Sequence, residues 1–242
     1  PWTSPKAIAD GPSIRDYIRD TARENGVEKR IRYGHKVKHA NWSNRDAAWI
    51  LDVEETHSGK QIQLSCNFVI SCTGYYNYTA GYTPEFLGRD QFKGQIIHPQ
   101  HWSEDLDYSD KKVVIIGSGA TAVTLVPAMA DKAAHVTMLQ RSPSYVATVP
   151  LEDKISNKLR RYLPEKLVYR LACTRNVAFT LGFYRLAKSR PKPIRRLLLS
   201  QVKRQLGPNA DMKHWTSSYN SWDERLCAVP NGDLFRVIRK GL

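Results

Sequence analysis

The sequence predicts an α/β protein in which a parallel β–α–β unit follows a separate β-meander. A run of β-branched residues, 113–116, leads directly into a glycine-rich turn, 117–122. An apolar helix-like stretch and a second short apolar run, 135–140, come after that turn. Short continuous apolar runs are typical of buried parallel strands, and a glycine turn that opens a helix is typical of their connection. Upstream, turn residues divide 31–73 into three strand-like segments, which predicts the meander.

The elements before the glycine turn are one helix and three strands. Ser13 is a good N-cap for a helix with apolar residues at helical spacing, and Asn25-Gly26 is a suitable stop. The strands are predicted over Ile31–Trp42, Ala48–Glu55 and Gln61–Thr73. Ser, Asn, Asp and Gly between them favour turns.

Beyond Pro150 the chain is predicted to be helical and strongly basic. Prolines at 164, 191 and 193 divide this segment into about three helices, and a short strand and a helix beginning near Asp233 follow. Residues 151–206 contain 15 Lys/Arg and 3 Asp/Glu, a net charge of +12 out of +14 for the whole chain. Because the excess lies in one segment and does not surround the glycine turn, it argues against a nucleic-acid-binding protein.

The glycine-rich turn fits the G-x-G-x-x-G/A pattern of dinucleotide binding in a Rossmann-type unit. Gly117 permits the tight turn, and Gly119 lets the backbone approach a pyrophosphate at the amino end of the helix. Ala122 is small enough for close packing of the helix on the strand. An incidental glycine turn is the alternative. The predicted phosphate-binding residues are Gly117, Ser118, Gly119, Ala120, Thr121 and Ala122.

The end of the second strand selects the nucleotide. An NAD site places Asp or Glu there for the ribose 2′-hydroxyl, whereas a nearby arginine suits a 2′-phosphate. This chain has Gln140, Arg141 and Ser142 and no carboxylate. Because a guanidinium is always charged and matches phosphate geometry, the sequence predicts NADP(H), bound with Arg141 and Ser142 on its adenosine side.

Composition bounds the class of protein. The chain is 41% hydrophobic and 25% charged, as in folded globular domains. Its four cysteines are scattered without a CxxC pair, which predicts buried, reduced thiols in a cytoplasmic protein and no metal site or disulfide.

One motif before the glycine turn carries a family resemblance. Phe92-x-Gly94-x-x-x-His98-x-x-x-Trp102 resembles the FxGxxxHxxxW fingerprint of Baeyer–Villiger and related class B flavin monooxygenases. Cys72-Thr73-Gly74 resembles the segment by which the family's chain returns to its FAD domain. The stretches GYYNY, IIGSGATAV and VTMLQRSP are similar in particular to the ethionamide-activating branch.

The resemblance implies a two-domain organisation. Residues 1–91 would be part of an FAD-binding domain, with the helix, the meander and a loop. Residues 92–110 would be the interdomain linker. Residues 111–242 would be the NADP-binding Rossmann domain, with the basic helices inserted at about 151–215. The family's first, FAD-holding glycine motif is not in this sequence, so the resemblance implies a fragment that is inactive alone.

The resemblance also implies an activity. NADPH would reduce FAD, and a C4a-peroxyflavin formed with O₂ would insert one oxygen into a ketone or oxidise a thioether or thioamide sulfur. Trp222–Cys227 matches the family segment that holds a catalytic arginine, which makes Arg225 the candidate; a surface arginine paired with a neighbouring acid is the alternative. His98 is the second catalytic-site candidate. We interpret it as a hydrogen-bonded hinge residue on the link between the domains, and direct proton transfer is the alternative.

Three rival functions stay open at this stage. One is a flavin monooxygenase that oxygenates only nitrogen or sulfur, and another is a non-catalytic NADP-binding module. The third is a basic nucleic-acid-associated protein built on a Rossmann core. We interpret the basic helices as a cap over the active site. The alternative is an amphipathic surface that makes peripheral contact with an anionic membrane.

Overall fold

The structure, a computed structural model, describes residues 4–241. The described chain is α/β, as predicted, and forms two compact units: residues 10–101, and residues 4–9 together with 102–241. The boundary between His101 and Trp102 lies inside the segment 92–110. Each unit has its own sheet structure.

The first unit begins with α1 (Gly11–Glu24), which ends at Asn25 as predicted. Its N-cap is Asp10, whose carboxylate accepts hydrogen bonds from the N–H (2.9 Å) and the hydroxyl (2.7 Å) of Ser13. The predicted cap at Ser13 is therefore wrong by three residues. A capping oxygen must precede the N–H group that it accepts from, and Pro12 in the first turn favours the earlier start.

Three antiparallel strands follow in the order β1-β2-β3, which confirms the meander. They are β1 (His35–Ser43), β2 (Ala48–Glu55) and β3 (Gln61–Cys66). His35 pairs with Glu55 at one end of the β1–β2 ladder. Trp49 pairs with Cys66 at one end of the β2–β3 ladder.

The predicted strand bounds are correct for β2 but too wide for its neighbours. The strand assignments of 31–34 and 67–73 are wrong, because β2 has no residues left to pair with them. Phe68 and Ile70, predicted to lie in the third strand, are 78% and 76% exposed. Strand length is therefore set by the partner strand and not by the apolar run.

The second unit contains two pairs of parallel strands. In the first pair, β4 (Lys112–Ile116) joins β5 (His135–Leu139) through α2 (Ala120–Met129), the predicted β–α–β unit. In the second pair, β6 (Tyr145–Val149) lies beside β7 (Leu226–Pro230), and α6 (Asp233–Lys240) follows as predicted. Strand β6 was not predicted from the sequence.

The basic segment between β6 and β7 is helical. It contains α3 (Lys154–Leu159), α4 (Glu165–Ser189) and α5 (Pro191–Leu206). Pro164 is the N-cap of α4 and Pro191 begins α5, so both divide helices as predicted. Pro193 does not divide a helix. It lies in the first turn of α5, where a backbone N–H has no intrahelical acceptor, so the lack of an N–H in proline costs no hydrogen bond.

Short 3-10 turns lie at Glu28–Arg30, Arg89–Gln91, Pro99–His101 and Met212–Trp215.

One hydrophobic core joins the two strand pairs of this unit. Val126 of α2, Val146 of β6, Val229 of β7 and Phe235 of α6 belong to a single buried cluster. Phe235 is 1% exposed, and burial of a side chain of this size stabilises the fold by about 1.5–3 kcal/mol.

The prediction that β4 is buried on both faces is wrong for one of them. Val113 and Ile115 pack against the core cluster. Val114, Ile116 and Leu139, on the opposite face, are 60%, 61% and 55% exposed. Within residues 4–241, the helices cover only one side of this strand pair, so a continuous apolar run does not by itself prove burial on two sides.

Residues 4–9 form backbone hydrogen bonds with the first residues of the helical segment. The N–H of Ala7 donates to the carbonyl of Leu151 (2.7 Å), and the N–H of Asp153 donates to that of Pro5 (3.2 Å). Asp153 also caps α3 through the N–H of Ser156 (3.1 Å) and pairs with Arg175. Although burial opposes ionisation, the hydrogen bonds from Arg175 and Ser156 hold the pKa of Asp153 well below its usual range.

The cysteines are only partly as predicted. All four are free thiols, and Cys227 is buried. Cys72 and Cys173 are exposed, so the prediction of buried thiols is wrong for them. Burial raises the pKa of the Cys227 thiol against the opposing charge of Arg225, which keeps the thiol protonated at neutral pH.

Candidate functional site

The glycine turn lies at the carboxyl ends of β4 and β5. Gly117 has φ +140°, a conformation that L side chains rarely adopt, and its N–H donates to the carbonyl of Leu139 (2.8 Å). Gly119 is the N-cap of α2, and no side-chain hydrogen bond caps that helix end. The first N–H groups of α2 are therefore left for another acceptor, which is the arrangement that favours an anion.

The buried Ser118 side chain holds this turn in place through hydrogen bonds. Its hydroxyl donates to the carbonyl of Ser142 (3.1 Å) and lies 3.1 Å from the hydroxyl of Ser144. Ser118 and Ser144 are 8% and 5% exposed. The Ser118 hydroxyl is thus engaged within the protein, so it holds the turn in place and does not face a ligand. Ser144 was missed by sequence reasoning, because nothing in the local pattern marks it.

Arg141 and Ser142 follow directly from β5. In the parallel register Ile116 pairs with Leu139, so the glycine turn and Arg141 leave the sheet at the same edge. Arg141 is exposed, whereas Ser142 is half-buried and its carbonyl accepts from Ser118. Thr121 and Ala120, on the first turn of α2, are also exposed, while Ala122 is 5% exposed and faces the core.

Arg225 is brought to the same turn from a distant part of the chain. It precedes β7, and its Nη1 atom lies 3.3 Å from the position that a Cβ atom on Gly119 would occupy. Cys227, two residues on, places its Sγ atom 3.8 Å from the carbonyl oxygen of Ser118. A fixed positive charge and the uncapped amino end of α2 therefore lie together, over 100 residues apart in sequence.

Within residues 4–241, Arg225 forms no ion pair with Asp223 or Glu224. Asp223 instead pairs with Lys188, whose Nζ lies 2.6 Å from the carboxylate. The hydrogen bond from Lys188 lowers the pKa of Asp223, and the same bond raises the pKa of Lys188. Both groups stay charged at neutral pH, so Asp223 is already engaged by a different cation.

The fingerprint residues Phe92, Gly94 and His98 lie in the first unit. A Cβ atom on Gly94 would come within 2.5 Å of the tip of the Phe92 ring, so a larger residue there would displace that exposed ring. The His98 ring packs directly on Gly81, where a Cβ atom would lie 2.0 Å from it. The N–H of Gln100 donates to Nδ1 of His98 (3.2 Å). His98 therefore holds the local backbone, as a structural residue would.

Trp102, the last fingerprint residue, lies in the second unit. Its ring meets that of Tyr108 edge to face, with centroids 6.3 Å apart. The indole is 40% exposed, so it packs only in part against residues 4–9 and 102–241.

The resemblance to class B flavin monooxygenases implies that replacing His98 by alanine in the full-length protein would lower NADPH-dependent turnover by about tenfold, with bound flavin retained. The reason is the loss of the ring that packs on Gly81 and of the Gln100 hydrogen bond. Gly81→Ala is expected to have the same effect, because its Cβ displaces the ring. Steady-state kinetics and the flavin absorbance check this. The exposed His39 provides a control as His39→Ala, and normal turnover in both site variants would refute the role.

These features define an α/β protein with a Rossmann-type unit: a glycine turn between two parallel strands, a helix amino end without a side-chain cap, and an adjacent arginine. The chain belongs to the flavin-binding monooxygenase-like family, which it matches over residues 6–166.

Its relatives are about twice as long. The chain is 55% identical over 245 residues to the FAD-containing monooxygenase MymA of Mycobacterium tuberculosis and covers 50% of that protein. It is 51% identical over 243 residues to the FAD-containing monooxygenase EthA of Mycolicibacterium smegmatis and covers 49% of it. In both cases the whole of this chain is matched.

Solved monooxygenase structures share the fold. Steroid monooxygenase bound to NADP superposes on 98% of this chain with a TM-score of 0.73 at 20% identity, and 51% of that chain is covered. OTEMO in complex with FAD and NADP superposes on 99% with a TM-score of 0.71 at 20% identity, covering 52% of its own chain.

Proposed function

We propose that the protein is an FAD- and NADPH-dependent monooxygenase and that this chain supplies its NADPH site. The enzyme would insert one oxygen atom of O₂ into a ketone, or oxidise a thioether or thioamide sulfur. The ketone assignment rests on the resemblance of Phe92, Gly94, His98 and Trp102 to the Baeyer–Villiger fingerprint. The sulfur assignment rests on the similarity to the ethionamide-activating branch.

The observation that carries the proposal is the position of Arg225 against Gly119. A pyrophosphate fits here, because the N–H groups that open α2 have no side-chain cap and a helix amino end favours negative charge. We assign the backbone of Gly117–Ala122 to the pyrophosphate, and Arg141 with Ser142 to the adenosine 2′-phosphate.

FAD is proposed from the names of the relatives, MymA and EthA. When bound, it supplies the chemistry that passes two electrons from NADPH to O₂. One oxygen atom would enter the substrate, the other would leave as water after taking up one proton from solvent, and NADP⁺ would be released. This chain's contribution is to bind and orient NADPH and to place the fixed charge of Arg225 in the site, where charged groups stabilise developing negative charge.

The test is a turnover measurement on the purified full-length protein. We expect yellow protein that oxidises NADPH faster when a ketone or a thioether is added, with one oxygenated product per NADPH. Product from the thioether alone would favour the rival that oxygenates only nitrogen or sulfur. Colourless protein that binds NADP⁺ without oxidising NADPH would establish the non-catalytic binding module in place of the enzyme.

We further propose that the protein acts in the cytoplasm and that its helical segment, besides forming a cap over the active site, makes peripheral contact with anionic lipid. Among residues 4–241 no helix combines the length and apolar character needed to cross a bilayer. Tyr162, Phe179 and Leu181 are nevertheless 75%, 72% and 51% exposed, in a segment of net charge +12. Exposed aromatic and aliphatic side chains among cations are suited to an anionic membrane surface.

Vesicle co-sedimentation tests this contact. The full-length protein is expected to bind vesicles that contain phosphatidylserine and to dissociate from them at high salt. It is not expected to bind neutral phosphatidylcholine vesicles. Phe179→Ser should weaken binding, whereas Phe68→Ser, an equally exposed phenylalanine of the other unit, should not. Equal binding to both kinds of vesicle, or to neither, would contradict the proposal.

A further inference from the structure

The segment 216–225, which we call the arginine loop, ends at Arg225 and contains no regular secondary structure. A loop usually positions a side chain less well than a strand or a helix. Two attachments nevertheless fix this one to buried or helical parts of its unit.

The first attachment is a relay of two tyrosines. Tyr145 of β6 is 1% exposed, and its hydroxyl donates to the carbonyl of Tyr219 (2.8 Å). The hydroxyl of Tyr219 in turn donates to the carbonyl of Arg225 (3.1 Å). The two rings meet edge to face with centroids 5.5 Å apart. The buried Tyr145 thereby holds the backbone of Tyr219, and the Tyr219 hydroxyl holds the carbonyl of Arg225 just before β7 begins.

The second attachment reaches helix α4. The Nζ atom of Lys188 lies 2.6 Å from the carboxylate of Asp223, and Asn220 donates to the other carboxylate oxygen (3.3 Å). One turn earlier on α4, the Tyr184 ring meets that of Trp222 edge to face at 5.9 Å. Two consecutive loop residues therefore contact one face of α4 immediately before Arg225.

The loop is held in a conformation that it would not adopt alone. Trp222 has φ +70°, in the left-handed region that a bulky side chain rarely occupies. The hydroxyls of Ser217 and Ser221 are buried without a hydrogen-bond partner among the described residues. Such costs persist only where the surroundings over-determine the backbone, and they cluster at functional sites.

We propose that the arginine loop is a positioning device for Arg225, with Tyr219 as its central positioning residue and the Asp223–Lys188 pair as its attachment to α4. The inference rests on the proposed monooxygenase function. Tyr219 does not act on substrate. It fixes the carbonyl of Arg225 and, through it, the direction in which the guanidinium leaves the backbone toward Gly119.

The experiment uses Tyr219→Phe in the full-length, flavin-loaded protein, because phenylalanine keeps the ring packing and removes only the hydroxyl. We expect product formation (kcat) to fall about three- to tenfold, the effect of one lost hydrogen bond. The KM for NADPH should rise as well, because Arg225 lies against the proposed pyrophosphate turn, and hydrogen peroxide should account for more of the NADPH consumed. Tyr33→Phe, at an exposed tyrosine of the other unit, is the matched control.

A double-mutant cycle separates positioning from a general structural role. If Tyr219 acts through Arg225, adding Tyr219→Phe to Arg225→Ala should cause no further loss. Wild-type kcat and peroxide yield in Tyr219→Phe, or an undiminished further loss in the Arg225→Ala background, would overturn the proposal. If Tyr219→Phe does not fold, Asp223→Asn and Lys188→Met test the proposal in its place. Normal product formation in both of these variants would overturn the proposal.

Amide hydrogen exchange keeps this inference distinct from the proposed function. Exchange across 216–225 should be faster in Tyr219→Phe than in wild type. If the wild-type protein oxidises no NADPH, the proposed function fails, while the exchange measurement still decides whether Tyr219 holds the arginine loop. Unchanged exchange would show that it does not.

Discussion

Arg225→Ala in the full-length flavin-loaded protein is expected to lower oxygenated product by about 100-fold or more, the loss typical of removing one preorganised donor from a site of developing charge. The guanidinium lies against Gly119 at the amino end of α2, which has no side-chain cap. NADPH oxidation should continue in part, with its electrons diverted to hydrogen peroxide. Product yield and peroxide per NADPH are the quantities to measure.

Two further variants sharpen this result. Arg225→Lys keeps the charge but not the planar fork, and we expect intermediate activity. Arg236→Ala removes an exposed arginine of α6 and should leave activity unchanged. Wild-type product yield in Arg225→Ala would mean that Arg225 is an ordinary surface residue.

Arg141→Ala is expected to reduce the preference for NADPH over NADH by about 10- to 100-fold, because a hydrogen bond to a charged group contributes about 1.5–3 kcal/mol. The loss should fall on the KM for NADPH, with kcat at saturating NADPH largely retained. The register of Ile116 with Leu139 places Arg141 at the same sheet edge as the glycine turn. The measurement is kcat/KM with each cofactor.

The control for this prediction is Lys112→Ala. Lys112 is exposed and lies at the opposite, amino end of β4, so its removal changes the net charge equally without touching the site. Equal loss of NADPH preference in both variants would point to a long-range charge effect, and no loss in Arg141→Ala would remove the 2′-phosphate assignment.

The sequence located the glycine turn because each of its positions answers a local requirement. Gly117 adopts a positive φ and Gly119 leaves room beside Arg225, and both facts follow from the absence of a Cβ. The meander and the helices around Pro164 and Pro191 were predictable for the same reason, since turn residues and prolines act on the backbone next to them.

The attachments of the site could not be predicted in this way. Ser144 binds Ser118 from 26 residues away, and Tyr145 contacts Tyr219 across 74 residues. Neither pair has a spacing that marks it. The same limit explains the errors in strand bounds, because only the register with β2 decides where β1 begins and β3 ends.

The sequence by itself determined the α/β class, the glycine turn and the candidate arginines, since residue type and short spacing are enough to specify turns, caps and charge. Only the tertiary structure decided that Arg225 meets Gly119, that Ser118 faces inward, and that one face of β4 stays exposed. Those facts depend on which distant segments pack together, and packing is chosen by the summed burial and hydrogen bonding of the whole unit and not by any local pattern.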